Sequence, residues 1–129
     1  MAQREIEIIL IRQLASYLAM PIFIVDIAGN LVFYNEPAEI LLGQRFDETG
    51  EMPAAEWATV WTPTDEDGNA IPPAKVPLSV ALNEGKPICQ RLWIRGLDQV
   101  NRHIEAVAFP LVGQAKRALG AVVLFWELP

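Results

Sequence analysis

The chain has very little cysteine and histidine, two residue types from which many catalytic and metal sites are built. It contains one cysteine, Cys89, and one histidine, His103, in 129 residues. A single cysteine permits no internal disulfide, which is typical of a reducing, cytoplasmic setting. The sequence also lacks a glycine-rich phosphate loop, paired Cys and His ligands for zinc, and a serine elbow. We therefore expect no metal site and no catalytic residue.

Runs of basic residues and long apolar runs are missing as well. The 10 Lys and Arg residues are outnumbered by 16 Asp and Glu residues, so the net charge is −6. This balance disfavours nucleic acid as a partner. No apolar stretch approaches the roughly 18 residues that a membrane span requires, and charged residues interrupt the N-terminus where a signal peptide would lie. The sequence predicts a cytoplasmic protein without direct membrane contact.

Hydrophobic residues make up 52% of the chain and occur in every segment, which is typical of one packed domain. Residues 22–27 and 31–34 are rich in Ile, Val and Phe and flank a turn at 28–30, so they predict a β-hairpin. Asn35 can cap the helix that follows, and Gly43 suits its left-handed end.

Three later segments have the composition of strands. They are residues 86–95, 101–112 and 118–128, and a short helix over 76–84 precedes them. Residues 43–75 predict only short helices and turns. Together with the opening hairpin, the pattern predicts an α+β fold with a five-stranded antiparallel sheet and short helices on one face.

Residues 4–18 predict an N-terminal helix whose apolar arc is wider than one partner covers. One face carries Ile6, Leu10, Leu14 and Tyr17, and the adjoining face carries Ile8, Ile11, Ala15 and Leu18. One possibility is simple packing over the outer face of the sheet. We favour such packing together with a homodimer on the other flank, with these interface candidates: Ile6, Ile9, Leu10, Leu14, Tyr17 and Trp126.

Trp57 and Trp61 lie four residues apart, so both indoles fall on one side of a helix. They are either core aromatics or a wall of a ligand cavity, since an indole offers a large apolar area and one donor. In the strand over 101–112, Glu105 marks the outward side, so His103 points outward and Ile104 and Ala106 point inward. We expect Cys89 to be a small buried hydrophobic residue.

The ordered set of these features resembles a PAS domain, a sensory α+β module. The matching residues are Asp26, Gly29, Tyr34-Asn35, Gly43, Asp67-Gly68, Pro72, Pro77-Leu78, Ala81-Leu82, Gly85-Lys86-Pro87, Ala108-Phe109-Pro110-Leu111 and Gly120-Ala121-Val122-Val123. The resemblance implies a PAS-like sensory domain over 19–129, with residues 1–18 as a flanking dimerisation helix on the opposite face of the sheet.

With the family pattern, strand alternation assigns an inner face that could enclose a ligand. The pocket candidates are Phe23, Val25, Phe33, Trp57, Trp61, Leu78, Leu82, Ile94, Ile104, Ala106, Ala121, Val123 and Phe125. Val122, Leu124 and Trp126 then point toward the N-terminal helix. The small side chains Ala106 and Ala121 could leave a cavity, or Trp57 and Trp61 could fill it, because interiors are packed densely by default.

The resemblance also allows the family's cofactors to be considered. PAS domains that bind haem carry a histidine on the helix corresponding to 76–84, and this segment has none. Those that bind flavin for blue-light sensing carry an asparagine-cysteine-arginine motif, which is absent here. Haem and photoactive flavin are therefore disfavoured. An unknown small organic ligand, or flavin bound weakly without photochemistry, remains open.

Three functions are considered. The first is a cytoplasmic sensory module that binds a small ligand, dimerises, or does both, and regulates a signalling effector such as a histidine kinase or cyclase. The second is a ligand-free dimerisation scaffold. The third is a small isomerase-like or thioesterase-like enzyme, which requires an inward acid or base. The candidates Asp26 and Glu105 are both expected to point outward.

Overall fold

The computed structural model describes residues 6–129 of the chain. The helices are α1 Ile6–Ala15, α2 Glu36–Leu42, α3 Phe46–Thr49, α4 Ala54–Val60 and α5 Pro77–Glu84. The strands are β1 Ile22–Asp26, β2 Leu31–Tyr34, β3 Ile88–Arg95, β4 Asn101–Val112 and β5 Ala118–Glu127. None of the helices described in this range is long and apolar enough to cross a membrane.

The five strands form one antiparallel sheet in the order β2-β1-β5-β4-β3. The predicted five-stranded antiparallel sheet is therefore confirmed. Strands β1 and β5 are adjacent at its centre, with Phe23 opposite Val123 and Val25 opposite Ala121. Because the first and last strands pair with each other, residues from both ends of the domain meet in the middle of the sheet.

Each face of the sheet is covered by its own hydrophobic cluster. On the inner face, helices α2, α4 and α5 contribute buried side chains that include Leu42, Trp57 and Leu78. On the outer face, Ile8 and Ala15 of α1 pack in a separate cluster with strand residues. The predicted arrangement, with short helices on one face and the N-terminal helix on the other, is confirmed.

The predicted helix over 4–18 is shorter in the structure. Helix α1 ends at Ala15, and the chain turns at Ser16 and Tyr17. The first predicted helical positions, 4 and 5, lie outside the described residues, as do the first five residues of the predicted flanking segment. The turn lets the chain reverse from α1 into β1, because the backbone of Tyr17 and Leu18 donates back to the final helical turn.

The caps predicted for α2 are present. The side chain of Asn35 accepts a hydrogen bond from the backbone N–H of Ala38 at 3.3 Å, and Gly43 ends the helix in the left-handed region with φ 77°. Helix α5 likewise begins at Pro77 and ends before Gly85, which has φ 66°. Strand β3 begins at Ile88, two residues later than predicted, because Pro87 has no backbone donor for a ladder.

A β-bulge in the first hairpin overturns one prediction. The register of β1 and β2 shifts between Ile24 and Val25, so Ile24 is paired with Phe33 whereas Val25 is paired with Leu31. The extra residue breaks the inside-outside alternation. Phe33 was predicted to face inward, but it packs with the outer cluster, and the guanidinium of Arg12 lies 4.9 Å from its ring centroid. Tyr34 takes the inner position.

Candidate functional site

A small cavity of about 100 Å³ lies between the inner face of the sheet and helices α4 and α5. Nine of the residues predicted from the sequence line it: Phe23, Trp57, Trp61, Leu78, Ile94, Ile104, Ala106, Val123 and Phe125. They come from β1, β3, β4 and β5 on one side and from α4, the residue that follows it, and α5 on the other. The fold thus gathers side chains separated by up to about one hundred positions into one apolar chamber.

Four predicted pocket residues do not line the cavity. Val25 and Ala121 lie opposite each other on the central strands and are fully buried in the inner core. Leu82 is a partly buried residue at the edge of that core. Phe33 lies on the other side of the sheet because of the bulge.

Sequence reasoning also missed part of the wall, namely Leu42, Ala58, Pro63, Val76, Pro77 and Leu92. Leu92 could have been found, because it alternates with Ile94 on β3 and both are buried. Ala58 lies inside α4 next to Trp57, whereas the other four lie at helix ends or in connecting segments. No periodic pattern predicts the direction of a side chain there.

Phe23 is the centre of the aromatic packing beside the cavity. Its ring lies 5.8 Å from that of Trp57 and 5.7 Å from that of Trp61, both edge-on, and it stacks parallel to Tyr34 at 5.8 Å. Edge-to-face and offset stacking are the favoured geometries of aromatic pairs. The position of Phe23 on β1 is therefore tied directly to α4.

The polar atoms of these aromatic residues are satisfied by the protein. The indole N–H of Trp57 donates to the carbonyl of Gly29 at 2.8 Å, and that of Trp61 donates to the carbonyl of Leu42 at 2.9 Å. The hydroxyl of Tyr34 donates to the carbonyl of Gln44 or to Thr49, each at 3.0 Å. Burial raises the pKa of Tyr34, which keeps the hydroxyl protonated. The two tryptophans are therefore core residues and cavity walls at once.

Helix α1 presents a second surface of interest. Ile8 and Ala15 are 2% and 0% exposed against the sheet, whereas the opposite side of the helix is open. The predicted interface residues there are exposed as follows: Ile6 67%, Ile9 51%, Leu10 56%, Leu14 53% and Tyr17 82%. Trp126 is half-buried on the outer face of β5, opposite Glu105. Exposed apolar side chains that form a continuous surface mark interaction sites.

The residues that carry reactive groups lie away from the cavity. His103 stacks on Trp93 with ring centroids 4.5 Å apart, and its Nε2 contacts the carboxylate of Glu66. Asp26 accepts hydrogen bonds from the backbone of Ala28 and Asn30 in the first hairpin turn. Within residues 6–129, no group of three or more His, Cys, Asp or Glu side chains could hold a metal ion.

Cys89 does not lie where the sequence predicted. It is exposed on β3, not buried, because the first half of this edge strand alternates between exposed and half-buried positions. Its Sγ donates to the carboxylate of Glu105 at 3.4 Å. Desolvation and this hydrogen bond raise the pKa of the thiol. A raised pKa lowers the fraction of thiolate, so the site does not activate Cys89 as a nucleophile.

Comparisons with known proteins identify the fold. No family model and no curated protein matches the chain. Among solved structures, the PAS domain from Bordetella pertussis BvgS is 14% identical with a TM-score of 0.67, over 97% of this chain and 88% of that one. The PAS domain of nitrogen regulation protein NR(II) from Vibrio parahaemolyticus is 17% identical with a TM-score of 0.63, over 92% and 98%. The LOV protein of Rhodobacter sphaeroides is 16% identical with a TM-score of 0.73, over 97% and 69%. The chain has the fold of a PAS domain.

Proposed function

We propose that the chain is a cytoplasmic sensory module in which the inner cavity receives a small ligand and α1 carries the response to a second copy of the chain. The solved structures with the same fold support a signalling role. They include the PAS domains of a nitrogen regulation protein and of a two-component sensor histidine kinase. A kinase or cyclase is the kind of effector that such a module regulates.

The observation that carries this proposal is the sharing of β1 between the cavity and α1. Phe23 lines the cavity on one face of the strand, while its neighbours Ile22 and Ile24 belong to the cluster that holds α1 on the other face. Successive side chains of a strand point to opposite faces. A ligand that shifts the backbone at Phe23 therefore also shifts the neighbouring residues on which α1 rests.

Strand β5 repeats this arrangement next to β1. Val123 lines the cavity, and its neighbours Val122 and Leu124 pack with the outer cluster. Val123 also lies directly opposite Phe23 in the register of the two strands. The two paired central strands thus connect the cavity, where the ligand is proposed to bind, to α1, which is proposed to carry the response. Each strand provides a short path of packed side chains.

The exposed face of α1 is the proposed output surface. The exposed residues Ile6, Leu10 and Leu14 follow one another at helical spacing, and Tyr17 lies in the turn just after the helix. Polar side chains next to this stripe belong to Glu7 and Gln13. The apolar stripe does not repel an identical stripe, and the charge of Glu7 beside it is paired with Arg117, although the chain as a whole carries −6. This self-compatibility supports a homodimer through α1.

The dimer is tested by replacing Leu10 and Leu14 together with aspartate. We expect the native chain to be dimeric at micromolar concentration by light scattering, and the L10D/L14D variant to be monomeric with unchanged far-UV circular dichroism. The control is Asn83→Asp, which adds one charge at an exposed position of another helix and nearly preserves the mass. A native chain that is monomeric with α1 intact contradicts the proposed output.

A ligand-free dimerisation scaffold is the second candidate, and the cavity size favours it. A volume of about 100 Å³ is smaller than the roughly 300–1,000 Å³ of pockets for drug-sized ligands. Ala106→Leu, which fills the cavity, distinguishes the two functions. A sensor is expected to change its dimer dissociation constant when the cavity is filled, whereas a scaffold keeps it.

An enzymatic function has less support, because Asp26 and Glu105 do not line the cavity.

A further inference from the structure

The chemistry of the cavity wall limits what the proposed sensor can bind. The described side chains that line the cavity are all apolar: they belong to Phe, Trp, Leu, Ile, Val, Ala and Pro residues of the sheet and the helices. Two of them, Trp57 and Trp61, carry a hydrogen-bond donor. The ligand class therefore depends on whether either donor is free.

Both donors are already used by the protein. Trp57 donates to Gly29 at 2.8 Å and Trp61 donates to Leu42 at 2.9 Å, so each indole turns its N–H toward the backbone. The carbonyl of Leu42 also accepts the backbone N–H of Leu97 at 2.8 Å, which occupies both of its lone pairs. A polar ligand group placed among the lining side chains meets no free partner of theirs.

Elsewhere in the described chain, only one buried side-chain atom lacks a hydrogen-bond partner. It is Oε1 of Glu7 on α1, which lies across the sheet from the cavity. Within residues 6–129, no buried side-chain nitrogen or oxygen at the cavity wall lacks a hydrogen-bond partner. This pattern is expected of a cavity that binds an apolar ligand, because a binding site for a polar ligand carries polar groups that pair with it.

The volume of the cavity limits the size of the ligand. About 100 Å³ is the same order as the roughly 150 Å³ engineered apolar cavity that stays dry and binds benzene or xenon in another protein. The aromatic rings of Phe23, Trp57 and Phe125 form part of the wall and suit edge and face contacts with a ring. Haem and flavin are polycyclic and carry polar groups, and the cavity as it stands accommodates neither.

We propose that the ligand of this cavity is an uncharged, compact, apolar molecule no larger than a single substituted ring, such as a small hydrocarbon. This inference rests on the proposed sensory function, since it names the ligand class of that site. A hydroxyl placed in the cavity loses its hydrogen bonds to water without replacement, so it should weaken binding about tenfold or more. A carboxylate should be excluded, because burying an unpaired charge is far more costly.

The test uses the full chain and three probes built on the same aromatic ring, namely benzene, phenol and benzoate, and follows binding by nuclear magnetic resonance. We expect benzene to shift the indole N–H resonances of Trp57 and Trp61 in a saturable manner, phenol to bind at least about tenfold more weakly, and benzoate to leave these resonances unchanged. Phenol or benzoate binding more tightly than benzene overturns the proposed class. So does the absence of any shift up to the aqueous solubility of benzene.

Cavity-filling variants establish that the binding is internal. Ala106→Leu should abolish benzene binding, and Val107→Leu, on the opposite face of the same strand, should retain it. If Ala106→Leu does not fold, Leu78→Phe fills the cavity from α5 and gives the same readout. Benzene binding that survives the cavity-filling variant places the probe elsewhere and overturns the inference.

Light scattering on the same samples separates this inference from the sensory function. Benzene binding without any change in the dimer dissociation constant supports the ligand class and contradicts sensing through α1. If Ala106→Leu changes the dimer dissociation constant while benzene does not bind the native chain, the result supports sensing and overturns only the ligand class.

Discussion

The side-chain amide of Asn35 donates to the main-chain carbonyl of Ala15 at 2.9 Å, which joins the end of α1 to the start of α2 across the edge of the sheet. The same amide donates to the carbonyl of Met20 at 2.9 Å, and its oxygen accepts the N–H of Ile22 at 3.0 Å. Asn35 is 1% exposed. One side chain therefore fixes α1, β1 and α2 relative to one another.

Asn35→Ala should lower the free energy of unfolding by about 3 kcal/mol or more, because each buried polar group left unpaired costs about 1–3 kcal/mol. Urea denaturation measures this loss. Asn83→Ala, an asparagine exposed near the end of α5, is the matched control and should change stability by less than about 0.5 kcal/mol.

Asn35→Asp separates the two halves of this network. The carboxylate can still accept from Ala38 and Ile22, but it offers no donor to the carbonyls of Ala15 and Met20. Hydrogen exchange of α1 should therefore accelerate in both variants. An α1 that keeps its native protection in Asn35→Asp would mean that the two donated bonds do not hold the helix.

Local signals explain why much of the fold could be predicted. Asn35 and Gly43 act through the backbone within one or two helical turns, so the residue type alone indicates a cap. The three longer strands have enough apolar alternation to be located within two residues. The bond from Asn35 to Ala15 spans twenty positions, and nothing in the local sequence indicates it.

The site was harder to predict than the fold, and Phe33 shows why. Simple alternation placed it inward, but one extra residue in the hairpin moved it to the outer face and left Tyr34 inside. Trp57 and Trp61 line the same cavity, although α4 ends at Val60 and Trp61 is the residue that follows it. Whether their donors face a ligand depends on the carbonyls of Gly29 and Leu42, which the fold brings to them from distant positions.

Gly120 lies in the centre of the sheet, opposite Asp26, with φ 151°. A Cβ added there would collide with the carbonyl oxygen of Val25 on the neighbouring strand. We expect Gly120→Ala to destabilise the domain by more than about 3 kcal/mol, since the obstacle is backbone and cannot rotate away. Thermal and urea denaturation measure the loss.

Gly85 provides the comparison for Gly120. It ends α5 with φ 66°, but a Cβ there meets no atom within 4 Å. Gly85→Ala should therefore cost only the strain of a left-handed alanine, about 1–2 kcal/mol. Equal losses in the two variants would show that conformational strain alone, and not the close approach of β1 and β5, requires glycine at position 120.

The ion pair of Asp98 and Arg102 should make stability depend on pH. Arg102 donates to the two carboxylate oxygens of Asp98 at 2.7 and 3.1 Å, and also to the carbonyl of Leu41 at 2.8 Å, so it ties the β3–β4 hairpin to α2. The hydrogen bond from Arg102 lowers the pKa of Asp98 in the folded protein. An unfolded aspartate titrates near a pKa of about 3.9.

The folded state therefore binds the proton of Asp98 less readily than the unfolded state does. The stabilisation from this group is fully present above pH 4 or so and is lost as the pH falls through the lower, folded pKa. Urea denaturation between pH 7 and pH 2.5 should show Asp98→Asn to be less stable than the native chain at neutral pH, with the difference shrinking in acid. Asp47→Asn, which also removes one exposed carboxylate, controls for net charge. A difference between native and Asp98→Asn that stays constant down to pH 2.5 would mean that the carboxylate of Asp98 contributes through shape and hydrogen bonding, not through its charge.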